Sequence, residues 1–245
     1  MKKILKIFLQ YYLKIITKAV LLIHKPTVIA VAGSVNKSFV RDEVKKMLLK
    51  KGKNVRANPK NFNTEIGLPL AILGLESGYN SYRRWLPIIG QALRAIFQKN
   101  FPDCLVLELG VSQKGDMRYL LSIVQPKIVI VTEITQRYME FFAGMERLVG
   151  EYVYLAEKLK KGDTLILNYE NKKIKSLKKH TRAKVLFFGE DCFECDGYLA
   201  YINEMPQGLK VKMLYRGREK EIEIKRFGNH HARSALIAWM VEDLI

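Results

Sequence analysis

The chain has 245 residues, enough to bury one large core or two smaller ones. Its 49% apolar and 10% aromatic residues exclude a disordered chain. Lys and Arg number 42 against 24 Asp and Glu, a net charge of +18, which suits nucleotides, nucleic acid or acidic lipid headgroups without choosing among them. The three cysteines are too few for a disulfide framework, and no signal-peptide cleavage pattern is evident, which points to the cytoplasm.

Residues 1–24 read as one basic amphipathic helix. Lys3, Lys6, Gln10, Lys14 and Lys18 recur every three or four positions, and Ile4, Phe8, Tyr12, Ile15, Ala19 and Ile23 fill the opposite side. Lys14 and Lys18 interrupt the longest apolar run, which argues against a transmembrane span. Two readings stay open: a helix packed on the domain or a partner through its apolar side, and a helix lying in a membrane interface.

Thr27–Ala32 is a β-branched and apolar run, as in a strand buried on both faces of a parallel sheet. Gly33-Ser34-Val35-Asn36-Lys37-Ser38 then turns the chain into a helix to Lys50, with Val40, Val44, Met47 and Leu48 on one side. Strand, glycine turn, lysine, hydroxyl and helix make a phosphate cradle: amides at the helix start face the anion, Lys37 reaches the terminal phosphates, and Ser38 can ligate Mg²⁺. Asn36 stands where such a loop wants glycine. Asn enters left-handed backbone at modest cost, so the turn survives, but its side chain takes space a phosphate would use.

A short strand from Lys53 to Ala57 and a loop through Asn61–Pro69 follow, then a helix over 82–99 with Trp85, Ile88, Ile89, Leu93 and Ile96 as its apolar stripe. Cys104–Leu109 is a second buried-type strand. Glu108, at its C-terminal end, sits where open α/β sheets place ligands and is a candidate Mg²⁺ ligand opposite the phosphate loop. A helix over 115–124, a strand over 127–132, a helix over 139–159, a strand over 164–167, a basic helix over 172–180 and a strand over 184–188 continue the alternation. Cys192 and Cys195 form a CxxC with no second pair at zinc-ribbon spacing, read as two cysteines near a strand edge and not as a metal or redox site. Residues 198–205, 209–215 and 219–225 read as antiparallel strands, and a helix over 230–245 ends the chain. The fold class is therefore α/β: a P-loop-type, mostly parallel sheet flanked by helices, a small antiparallel β lobe near the C-terminus, and the N-terminal helix.

Four blocks in order, Val28–Ser38, Asn61–Pro69, Glu108-Leu109-Gly110 and Gly228–Leu236, carry a resemblance. From about residue 26 to 245 the chain resembles the central, ATP-binding domain of the Mur ligases, most closely the branch that adds D-alanyl-D-alanine to the peptidoglycan precursor. The resemblance implies domains of 1–25 and 26–245, with ATP and Mg²⁺ as cofactors. It assigns Gly33, Ser34, Asn36, Lys37 and Ser38 to the phosphates, and Ser38 and Glu108 to the metal. Lys37 and Glu108 become the candidate catalytic pair. Asn168 matches an asparagine near the adenine, His230 borders the nucleotide, and Glu65 falls on the substrate side. The implied reaction joins a carboxylate to an amine through an acyl phosphate, by positioning and charge neutralisation.

The chain also departs from that pattern. Besides Asn36, Tyr138 replaces a histidine, and Tyr152 replaces a lysine that the family carbamylates to hold a second metal ion; neutral tyrosine is a poor Mg²⁺ ligand. Glu151 is turned about 100° away on a helix and is no obvious substitute. The family's N-terminal precursor domain and C-terminal domain have no counterpart here, so a separate ligase domain or protein is an implied partner beside ATP and the precursor. Three functions are carried forward: an ATP-binding protein of peptidoglycan precursor synthesis, impaired or incomplete as a stand-alone ligase; a catalytically inactive scaffold or regulator of envelope synthesis; and a basic membrane-surface protein. Nucleic acid is disfavoured, because the basic clusters lack aromatic platforms in a recognised module.

Overall fold

The computed structural model describes residues 3–79, 81–136, 142 and 144–245. Helix α1 (Lys3–His24) leads into strand β1 (Thr27–Ala32), helix α2 (Lys37–Lys50) and strand β2 (Val55–Ala57). Helices α3 (Gly67–Leu73) and α4 (Tyr82–Arg94) precede β3 (Cys104–Glu108), α5 (Asp116–Leu121), β4 (Ile128–Val131), α6 (Met145–Lys158) and β5 (Thr164–Asn168). The chain ends with α7 (Lys172–Lys175), β6 (Lys184–Glu190), β7 (Gly197–Met205), β8 (Gly208–Tyr215), β9 (Arg218–Ile224) and α8 (Asn229–Glu242).

The nine strands of the described residues belong to one sheet, in the order β2-β3-β1-β4-β5-β6-β7-β8-β9. Pairing is parallel from β2 to β7 and antiparallel across β7, β8 and β9. The predicted antiparallel strands thus extend the parallel sheet. Strands β1, β3, β4 and β5 are buried along their whole length apart from Thr27, which is why they read as unbroken apolar runs. One face of the sheet carries a core that includes Leu13, Leu68, Trp85, Met117 and Tyr152. The other is closed by Val40, Val44 and Leu48 of α2 and Leu236, Ile237 and Val241 of α8. Strand β1 lies between β3 and β4, so the chain leaves it in both directions and opens a crevice at the carboxyl ends.

Several expected elements shift. The loop before Pro69 runs into α3, a helix absent from the sequence reading. The helix over 82–99 ends at Arg94 and finishes as a 3₁₀ turn over Ala95–Phe97; its buried side is Trp85, Ile88, Ala92 and Ala95, with Leu93 exposed. The basic helix over 172–180 is one α turn followed by a 3₁₀ turn, capped by the Asn171 side chain accepting from Lys173 N and Ile174 N. On α1 the buried face is Leu9, Leu13, Ile16 and Val20, whereas Phe8, Ile15 and Ile23 of the expected apolar side face solvent. Cys192 and Cys195, read as two cysteines near a strand edge, are joined in a disulfide in the β6–β7 connection.

Candidate functional site

The β1–α2 corner is fixed by its contacts with the segment that follows β4. Gly33 has φ +134, and a Cβ there would lie 2.3 Å from Thr132 Oγ1 and 2.9 Å from Glu133 O, so only glycine allows this approach. Ser34 N donates to Glu133 O at 2.6 Å, Thr132 Oγ1 donates to Val35 O at 2.7 Å, and Thr135 N donates to Ser34 Oγ at 3.1 Å. Asn36 takes the left-handed conformation the turn demands, φ 63 and ψ 5. Val40 N donates to Asn36 O at 3.3 Å, so the amides before it open the helix and point out of its N-terminus, the geometry that receives an anion.

Lys37 and Glu108 share this end of the sheet, since Val31 pairs with Glu108 in the β1–β3 register. Lys37 Nζ lies back across its own loop and donates to Gly33 O at 2.7 Å. Ser38 is exposed on the first turn of α2. Glu108 is 5% exposed and faces Arg41, a residue the sequence reading did not single out, with Arg41 Nη1 at 2.8 Å from Glu108 Oε1. Arg41 also donates from Nη1 to Asn58 O at 2.9 Å and from Nε to Asp42 Oδ1 at 2.7 Å. Asn58 Oδ1 accepts from Glu108 N at 2.9 Å, holding the strand end in place. The Arg41–Glu108 contact has the distance of an ion pair without the angles of a hydrogen bond, and Glu108 Oε1 keeps a lone pair free. Among the described residues no group of three His, Cys, Asp or Glu could hold a metal. A Mg²⁺ at this corner would therefore have to bring most of its ligands with it, as phosphate and water oxygens.

Asn36, Asn168 and His230 converge on a second part of the crevice, a cleft of about 20 Å³ completed by Thr132, Glu133, Arg233 and Ser234. That volume holds a water molecule, not a purine ring. Both ends of the Asn168 amide are used: Nδ2 donates to Thr132 O at 3.2 Å and Oδ1 accepts from Glu170 N at 3.0 Å. His230 lies against the Phe39 ring at 4.3 Å and His231 at 4.2 Å. Burial, followed by the neighbouring His230 and Arg226 charges, pushes His231 below the usual imidazole value, against an opposing pull from Glu43.

Arg233 closes the cleft from α8. Its guanidinium donates to Glu190 Oε1 at 2.7 Å and Glu170 Oε2 at 3.0 Å, and stands 3.6 Å from Glu133 Oε1. Glu133 and Glu170 stand just beyond the ends of β4 and β5 and Glu190 is the last residue of β6, the kind of position that singled out Glu108, so the signal was present in the sequence. A larger groove of about 790 Å³ lies between α2, α8 and the β8–β9 hairpin, and none of the predicted site residues lines it.

Other predicted positions lie elsewhere. Glu65 Oε1 is 2.8 Å from Lys6 Nζ of α1. Burial raises its pKa, but hydrogen bonds from Lys6, its own backbone and Gln10, with the Lys6 charge, hold the carboxyl below the ordinary value. Tyr152 is 1% exposed in the core. Glu151 caps α5, accepting from Gly115 N at 2.7 Å and Met117 N at 2.9 Å, so its charge is already committed. Tyr138 lies outside the described residues.

The family model for the Mur ligase middle domain matches residues 87–241, more than half of the chain. The UDP-N-acetylmuramoyl-tripeptide–D-alanyl-D-alanine ligase of Borreliella burgdorferi is 32% identical over 123 residues, covering 50% of this chain and 21% of that protein. The enzyme of the same name from Rickettsia prowazekii is 23% identical over 223 residues, covering 87% of this chain and 44% of its own length. In fold, the chain is similar to MurF from Acinetobacter baumannii, with a TM-score of 0.75 at 14% identity over 96% of this chain and 47% of the other. MurF ligase from Thermotoga maritima, solved in complex with ADP, gives 0.75 at 18% identity over 96% and 49%. The chain spans less than half the length of each of these relatives. It belongs to the Mur ligase family and carries that family's middle domain.

Proposed function

We propose that this chain binds ATP at the β1–α2 corner and takes part in peptidoglycan precursor synthesis as a Mur-type component impaired in ligation on its own. The observation that carries the reading is the loop from Gly33 to Lys37, pinned to the segment after β4 so that the first amides of α2 and the Lys37 ammonium border one open corner beside Glu108. The α2 amides and Lys37 would hold the phosphates, and Ser38 and Glu108 a Mg²⁺ carried with them. The base would lie outside the cleft that Asn168 and His230 line, since that cleft does not hold a purine ring. Bound ATP supplies the phosphoryl group that activates a carboxylate for attack by an amine; the chain's own part is to position it and neutralise its charge.

Impairment is inferred from three features. The Asn36 side chain lines the cleft, Arg233 and Glu133 narrow it, and Tyr152 offers no metal ligand at its buried position. Calorimetric titration with ATP, with and without Mg²⁺, tests the site. Binding should be detectable in the parent and weakened at least about tenfold in Lys37→Ala, since a charge-assisted contact to phosphate is lost. Equal affinity in the two proteins would remove the assignment.

The Arg41–Glu108 pair favours a second reading, a scaffold or regulator of envelope synthesis that binds nucleotide without turning it over, since Glu108 is already neutralised from within the fold. Precursor-dependent ATP hydrolysis by the purified chain would rule that reading out. The UDP-linked precursor and the separate ligase part are proposed partners on the same footing.

A further inference from the structure

We propose that α1 and α4 together form a surface that lies flat on an anionic lipid bilayer. None of the residues named for this surface belongs to the nucleotide corner, and the proposal stands independently of the function proposed above.

Helix α1 is the one helix among the described residues long and apolar enough to cross a membrane, over Leu5–His24, yet only 28% of that stretch is buried. It is nevertheless tied down along its length. Leu13 and Val20 are fully buried in the core beneath the sheet. Tyr12 Oη donates to Ile89 O at 2.7 Å, and His24 Nε2 lies 3.2 Å from Ile96 O, fastening α1 beside α4 and the turn after it. Spanning a bilayer would pull Leu13 and Val20 out of the core and break both ties. The helix therefore stays on the domain, with its other face unpartnered.

That face is apolar. Phe8, Tyr11, Ile15 and Leu22 are 60–71% exposed. With Lys18 they step along α1 by three and four residues, one continuous stripe. On the neighbouring element Leu86 is 71% and Phe97 82% exposed. Stripes of this kind on a monomer mark an interaction surface and not chance exposure.

The charge around the stripe chooses the partner. Residues 1–25 and 82–100 contain no Asp or Glu. Lys18, Lys25, Arg83, Arg84, Arg94 and Lys99 are all exposed there. Exposed apolar side chains and exposed cations on the same two segments, with no acid in either, match an anionic interface in both respects. A second copy docking through the same face would set these cations against their own equivalents, which disfavours a self-pair.

Flotation of the full chain with vesicles tests the surface. Vesicles of phosphatidylglycerol and phosphatidylcholine should carry the chain at low salt and release it as salt rises, and phosphatidylcholine alone should carry at least about tenfold less. The paired change Ile15→Ser/Leu22→Ser alters only exposed positions and should keep the parental melting temperature while losing roughly tenfold in vesicle affinity. Arg83→Ser/Arg84→Ser should weaken binding to the anionic vesicles only. The proposal is overturned by unchanged binding in both variants, by equal binding to neutral vesicles, or by no binding at low salt. It is also overturned if the chain is a dimer in solution that the Ile15→Ser/Leu22→Ser change dissociates.

Discussion

Arg41 Nη1 stands 2.8 Å from Glu108 Oε1, a residue of the second turn of α2 against the last residue of β3. Both side chains are nearly buried, at 10% and 7% exposure. Two charges in such a place are tolerated because each answers the other, and removing one leaves the survivor stranded. Arg41→Met should therefore cost about 3–5 kcal/mol of unfolding free energy. Arg41→Met/Glu108→Gln should recover much of that, because no bare charge is left. Urea denaturation of the three proteins measures this, and a double variant no more stable than the single one would show that the stranded Glu108 charge is not the cost.

Asn36 links the turn to the cleft, since one residue both supplies the left-handed backbone and lines the pocket. Asn36→Gly keeps the turn and withdraws the side chain. Its stability should stay within about 1 kcal/mol of the parent, the backbone relief being offset by a freer unfolded chain. ATP affinity should rise, since the amide no longer competes for phosphate space. A β-branched residue cannot make the same turn cheaply, so Asn36→Val should lose about 2 kcal/mol or more. Calorimetry and denaturant titration read the two effects separately; weaker ATP binding in Asn36→Gly would contradict the account.

The parts of this fold that could be read from sequence are those in which chain-local pattern and tertiary burial agree. Strands such as Val28–Ala32 and Leu105–Leu107 are apolar throughout because both faces are covered, and the turn into α2 announces itself through Gly33 and Lys37. Helix α1 defeated the same approach because apolar residues surround most of it. Both Leu9-Leu13-Ile16-Val20 and Phe8-Tyr11-Ile15-Leu22 have helical spacing, and packing against α3 and α4 decides which is buried. Helix α3 was hidden because a seven-residue apolar segment is too short to show a period. Arg41 and Arg233 look like any surface arginines in a helix of mixed charge, and only the folded crevice brings Glu108, Glu133, Glu170 and Glu190 to them.

Arg233 holds three carboxylates from three strand ends in one place. Arg233→Ala would leave them facing one another across the cleft. The side chain is about a quarter exposed, so the loss should be moderate, about 1–2 kcal/mol. Its salt dependence carries the distinguishing sign. Added salt screens attraction in the parent and repulsion in the variant, so the gap between them should narrow as salt rises. Thermal melts over a salt series check this; a gap that stays constant would mean the arginine acts through packing and not charge.

The Lys6–Glu65 pair gives the acid limb of stability a specific origin. The Glu65 carboxyl is held below its ordinary value of 4.5, with the Lys6 hydrogen bond and charge overcoming the effect of burial. A depressed carboxyl contributes stability that is complete above the ordinary value and is lost as pH falls through the folded value. The window of loss therefore lies below pH 4.5. The pair is partly exposed, with side chains 49% and 33% accessible, so its contribution near neutrality should be about 0.5 kcal/mol. Because it ties α1 to the loop before α3, Lys6→Gln should loosen that helix at neutral pH and behave like the parent in strong acid. Hydrogen exchange in α1, with denaturation of parent and Lys6→Gln at each pH, follows the difference. It should shrink towards zero on acidification, and a difference that persists unchanged into strong acid would mean that α1 is held by its buried leucines alone.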